Sequence, residues 1–150
     1  MTVNIARPRF SNMFSREASV PTAASGVFTA MDGSDPTTWD VALDAVLAAP
    51  VNHIVLYEDD LIRVLSVSIA PGAIEKPHHH RFPAVFVIDR MVNLRDFNGA
   101  TNEEISLPIP KDAVFPITLK FAPRPLHYVK NIDTKPFHAT RIEFKNGFPG

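Results

Sequence analysis

The chain has 150 residues, with 15 Lys and Arg against 16 Asp and Glu, six His, 14 Pro and no Cys. A single domain of this length buries roughly 70% of the surface its unfolded chain would expose, so its core needs no disulfide or zinc staple. The missing cysteines exclude thiolate metal sites, iron–sulfur clusters and a cysteine nucleophile, and a formal net charge of −1 excludes a dedicated nucleic-acid binder.

Arg7, Arg9, Arg16 and Glu17 interrupt every apolar stretch near the start, so no export signal is read there and a cytoplasmic location is expected. No apolar run approaches the ~20 residues of a membrane span, so no membrane partner is expected. Residues 1–34 are rich in Ser, Thr, Ala, Asn and Pro and hold neither a helical nor a strand period. They are predicted to form an N-terminal arm that packs on the domain or on a second subunit, with a loose tail as the other reading. Asp35 and Pro36 then supply a cap and a first turn for a helix predicted over 35–50. Trp39, Leu43, Val46 and Leu47 give it one apolar stripe for packing, and Pro50 ends it.

From Val51 the pattern changes to short β-prone runs between turns, which predicts an all-β domain over 51–150. Strands are expected at 53–57, 61–70, 78–80, 84–89, 91–97, 114–121, 126–130 and 137–144. Pro71-Gly72, Asn98-Gly99 and the 131–136 segment supply the bends.

The chemistry concentrates in Pro71-Gly72-Ala73-Ile74-Glu75-Lys76-Pro77-His78-His79-His80. On an extended strand His78 and His80 share one face and His79 takes the other. Two imidazoles on one face suit a divalent metal, and a third ligand has to come from a neighbouring strand. His127 is the best candidate, because His127 and Val129 share a face while Leu126 and Tyr128 share the opposite one. His53 and His138 read as ordinary strand histidines that become ligands or donors only if their faces turn inward.

On these residues the chain resembles the cupin superfamily. Gly72, five residues and His78-x-His80 reproduce the front half of that family's first motif, and His127 with Asn131 reproduces the end of the second. The first motif's Glu falls on Ala84 or Val85, and Pro116, Ala122 and Arg124 stand where the second has Gly, Pro and Gly. The resemblance implies a double-stranded β-helix, a jelly-roll-like barrel carrying the arm and one short helix outside it. It implies His78, His80 and His127 as metal ligands, with no motif carboxylate among them. Glu75, His79, Arg81, Tyr128, His138 and Arg141 are the further candidates for supporting the ligands or touching a substrate. For Glu75 the plainer reading is a solvated turn, and for the arginines, Arg124 included, surface ion pairs.

The resemblance further implies a small-molecule ligand and a homodimer or higher homo-oligomer. Fe(II) is the favoured ion, with dioxygenase-like chemistry, while Zn(II), Mn(II) or Ni(II) would point to isomerase or lyase chemistry. The alternatives are a barrel that binds or senses a small ligand without catalysis, with or without metal, and an oligomer-forming protein with a vestigial pocket.

Overall fold

A computed structural model of the chain describes residues 29–107 and 109–149. Most of the predicted arm, residues 1–28, lies outside the described residues. Among the described residues the elements begin with two 3-10 turns, Pro36–Thr38 and Val41–Leu43, and a single α-helical turn, α1 (Ala45–Ala48). Nine strands follow: β1 (His53–Glu58), β2 (Ile62–Ile69), β3 (His78–His80), β4 (Ala84–Ile88), β5 (Leu94–Asn98), β6 (Glu104–Ile105), β7 (Ile117–Phe121), β8 (Arg124–Asn131) and β9 (Phe137–Phe144). They form a five-stranded sheet in the order β1-β2-β9-β4-β7 and a four-stranded sheet in the order β3-β8-β5-β6. Every named pairing is antiparallel.

The continuous helix expected over 35–50 does not form. Asp35, Asp40 and Asp44 each turn a side-chain oxygen back onto the backbone N–H two residues on, at Thr37, Ala42 and Val46. Three caps within ten residues start three short turns in place of one long helix, because each cap holds its residue outside helical geometry. The expected apolar stripe is not buried either: Leu43 and Leu47 are exposed, whereas Ala45 and the charged Asp44 are buried. Strand β1 likewise exposes Ile54, Val55, Leu56 and Tyr57 and buries only His53.

The core lies between the sheets and comprises Leu65, Val67 and Ile69 of β2, Ile88, Val92, Val129, Phe137 and Ala139. Its period-two phase positions the site. In β2 the inward row runs Ile69, Val67, Leu65 and then Arg63; in β9 it runs Phe137, Ala139 and then Arg141 and Glu143. The pleat that buries the apolar half of each strand therefore buries charge at the other half. On β8 the same alternation turns His127, Val129 and Asn131 inward.

Two local features fix the ends of this arrangement. Gly72 has φ of 74° in the Pro71-Gly72 turn, closed by Ala73 N–H to Ala70 carbonyl at 3.0 Å. A left-handed second turn position favours glycine, which explains that residue upstream of the histidines. Asn131 donates to the Ile69 and Lys135 carbonyls and accepts from Asp133 N–H, tying the β8–β9 connection to β2. The Asn of the second motif is a structural tie here.

Candidate metal centre

Strand β3 pairs with β8, with His78 opposite His127 and His80 opposite Arg124. One register shift falls between the two pairs, beside Pro125, whose absent N–H is tolerated at such an irregularity. His78 and His80 point into one cavity with His127, and His53, the first residue of β1, enters from the other sheet. All four imidazoles are buried. Their rings make a continuous cluster, with centroids 4.5 Å apart for His53–His78, 5.0 Å for His78–His80, 4.6 Å for His78–His127 and 5.5 Å for His80–His127.

The tightest set is not the one the sequence favoured. Donor atoms of His53, His78 and His80 lie within 4.8 Å of one another, and His127 joins through His78. His53 opens an edge strand whose other residues face solvent. It turns inward because its Nδ1 bonds the Ala49 carbonyl at 3.1 Å, just beyond α1.

Three rings share one polar arrangement. Nδ1 of His78 bonds the Lys76 carbonyl at 2.8 Å, Nδ1 of His127 bonds Asp96 Oδ1 at 2.9 Å, and Nδ1 of His53 bonds Ala49 as above. Each acceptor takes the ring proton on Nδ1 and leaves the lone pair on Nε2. The Nε2 atoms of His78 and His127 are buried with no hydrogen-bond partner, a condition that costs ~1–3 kcal/mol per atom. This is the pattern of ligating histidines, whose other nitrogen is held by a carbonyl or carboxylate. The residues fit a divalent ion. His80 Nδ1 lies 3.4 Å from Glu143 Oε1, without the alignment of a hydrogen bond.

The site is not purely imidazole. Glu75 is buried, with its N–H on the Val129 carbonyl and one carboxyl oxygen accepting from Val129 N–H. Its other oxygen lies 3.7 Å from His53 Nε2. The plainer expectation of a solvated turn carboxylate is thus corrected: residues 73–75 pair with the backbone of β8, as β3 does, and Glu75 is buried there. Ala84, one of the two positions where the first motif would have its Glu, is fully buried beside Glu143 on β9.

Two guanidiniums line the same cavity, Arg124 and Arg141. Arg124 is paired with Asp96, and Arg141 donates from Nε to Glu143 at 3.0 Å and from Nη2 to the Phe82 carbonyl. Arg63 joins Glu143 at 2.6 Å to Asp44 at 3.0 Å. The surface ion pairs expected of Arg124 and Arg141 are therefore internal ones. The opposite wall is apolar, with Ile88, Phe86, Phe121 and Phe137, and the cavity volume is ≈ 60 Å³.

Four of the other candidates lie elsewhere. His79 faces away, bonding the Asp40 carbonyl at 2.6 Å and packing on Trp39. Arg81 stacks over Phe82 and does not line the cavity. Tyr128 is out of phase with His127, stacks on Phe97 and bonds Asn102. His138, out of phase with Arg141, is half exposed, paired with Asp89 and bonded to Ser66. The sequence missed Asp96 and Glu143 as members of the site, and made His53 a member only if its face turned inward, as it does; the signal for Glu143 was its phase with Phe137.

Burial, with a smaller contribution from neighbouring cations, keeps the imidazoles neutral: His53 is lowered to about 4, His78 to about 3, and His80 and His127 well below the usual range. Burial raises Glu75 to about 8. Below the ordinary histidine value of 6.5 the unfolded chain binds more protons, so the histidines contribute stability that is full above pH 6.5 and lost as pH falls toward 4 and 3. Glu75 acts oppositely, with stability lost as pH rises from 4.5 through 8. Chelator-treated protein is therefore expected to be most stable near pH 6.5 and to lose several kcal/mol by pH 4.5, at ~1.4 kcal/mol per pKa unit for each group. Urea unfolding across this range checks it, and a flat profile between pH 4.5 and 6.5 would contradict it.

No family model matches the sequence, and no curated protein matches it. Solved structures do. A cupin domain from Bordetella pertussis Tohama I is 18% identical with a TM-score of 0.51, over 62% of this chain and 91% of that one. A cupin superfamily protein from Desulfitobacterium hafniense DCB-2 is 14% identical with a TM-score of 0.42, over 61% of this chain and 74% of that one. An RmlC-like cupin from Desulfovibrio desulfuricans is 16% identical with a TM-score of 0.39, over 70% and 94%. The first of these, together with the two antiparallel sheets, defines the class: the chain has the cupin fold. It carries a three-histidine group suited to a metal, His53, His78 and His80. Among the described residues no helix is long and apolar enough to cross a membrane.

Proposed function

We propose that this cupin holds a divalent metal ion on His53, His78, His80 and His127 and acts on a small organic molecule as a metal-dependent enzyme. Fe(II) with a dioxygenase-like reaction is favoured over Zn(II), Mn(II) or Ni(II) with isomerase or lyase chemistry. The observation that carries this reading is the contact of Nδ1 of His53, His78 and His127 with a fixed carbonyl or carboxylate acceptor, which calls for the proton on Nδ1 and leaves Nε2 its lone pair. A bound divalent ion supplies Lewis acidity there, and as Fe(II) also an electron source for dioxygen. Nitrogen and oxygen donors with no thiolate suit that ion.

The chain's own residues supply the rest. Buried, neutral imidazoles need lose no proton before binding a metal. Asp96 orients His127, and the Phe86, Phe121 and Phe137 wall excludes water and selects an apolar ligand. Glu75, buried and 3.7 Å from His53, is positioned to hold or give up a proton at the histidine end of the cavity.

A second reading, ligand binding without catalysis, draws on the loss of the motif carboxylate at Ala84 or Val85. Oxygen uptake by the Fe(II)-loaded protein over diketones, thiols and phenolics separates the two. Uptake with at least one class, lost in His78→Ala, is expected. Silence across the panel with Fe(II) bound would favour the binding reading.

A further inference from the structure

We propose that the ligand of this cavity is a small organic monoanion, a carboxylate or enolate with a short apolar tail, its head set between the imidazoles and the guanidiniums of Arg124 and Arg141. The inference rests on the metal reading above and adds to it the class of the substrate.

Charge carries the first part. Around the cluster, three buried or nearly buried guanidiniums, Arg63, Arg124 and Arg141, meet three buried carboxylates, Asp44, Asp96 and Glu143, pair by pair. These charges cancel. Glu75 adds either nothing or one negative charge. A divalent cation on the imidazoles therefore leaves the site positive by one or two charges, whichever form Glu75 takes. Uncompensated charge in a low-dielectric interior is costly, so the site is completed by an anion.

Geometry carries the second part. Arg141 uses Nε on Glu143 and Nη2 on Phe82, and Arg124 uses Nη2 on Asp96. Among the described residues Nη1 of each has no protein acceptor, and both side chains line the cavity. A guanidinium already fixed on one side by a carboxylate presents its remaining N–H groups in a set direction, which suits a planar two-oxygen head. The tail follows from Ile88, Phe86, Phe121 and Phe137 across from the charged end. At ≈ 60 Å³ the cavity takes on the order of five water-sized groups, which limits the ligand to a few carbons.

Calorimetric titration of the Zn(II)-loaded full-length protein with acetate, propionate and butyrate, and with the matching amides, tests this, with metal content measured on the same samples. Each acid is expected to bind at least ~10-fold tighter than its amide, with affinity rising about three- to four-fold per methylene from acetate to butyrate. Chelator-treated protein should show no preference for the acids, and Arg141→Lys should weaken butyrate several-fold with metal content unchanged. Should that variant fail to fold, the acid–amide comparison on wild type decides. Amides binding as tightly as acids to metal-loaded protein would overturn the inference and leave the metal reading standing. An acid preference that persists without metal would overturn the charge argument. Failure to take up Zn(II) at all would overturn both readings together.

Discussion

Glu143→Gln is expected to cost ~3–5 kcal/mol of folding stability, because it leaves buried guanidiniums without their counter-charge. Glu143 has no solvent exposure and accepts from Arg63 at 2.6 Å and Arg141 at 3.0 Å. Glutamine keeps the shape and one acceptor oxygen but removes the charge, leaving Asp44 alone against two cations. For a domain of this size ~2–4 °C of Tm accompanies each kcal/mol, so thermal unfolding should shift down by roughly 10 °C. The exposed Arg95–Glu104 pair provides the contrast, since solvent screens it and Glu104→Gln should leave the unfolding transition essentially unmoved. Equal, small shifts for the two variants would mean that the buried chain from Asp44 to Arg141 does not organise this end of the barrel.

Asp96→Asn is expected to lower metal affinity by ~10–100-fold, the range found when the partner that orients a ligating histidine is lost. Asp96 is fully buried and divides its two oxygens between His127 Nδ1 and Arg124. Asparagine can offer its amide N–H to His127, which would favour the tautomer with the proton on Nε2, the nitrogen that has to bind. Competition of the wild-type and variant proteins against a chromophoric chelator measures the change, and the Glu104→Gln variant should compete as wild type does. Unchanged affinity in Asp96→Asn would remove His127 from the ligand set.

The fold was legible from turns and period-two runs because those signals are local. The limits of β3 and β9 fell where the alternation placed them, and His78 and His80 shared a face for the same reason. Arg141 and Glu143 were legible in principle, being in phase with Phe137 and Ala139. Asp96 was not. Its strand reads Leu94-Arg95-Asp96-Phe97-Asn98, in which Phe97 competes with Leu94 for the inside, and Phe97 lies outside because Tyr128 stacks on it from β8. Which way His53 faces was not legible, because burial on β1 stops after one residue and depends on Ala49, just beyond the three aspartate caps that break the predicted helix. Glu75 was legible as a candidate, but its burial was not, because it rests on backbone pairing with β8, a contact more than fifty residues away in sequence.

The four converging imidazoles are expected to hold a metal ion. Elemental analysis of protein purified without metal-affinity steps, with His53→Ala, His78→Ala and His127→Ala alongside, measures whether they do. The structure predicts about one divalent ion per wild-type chain and a marked loss in each variant, His53→Ala included. The same negligible metal in wild type and all three variants would contradict it.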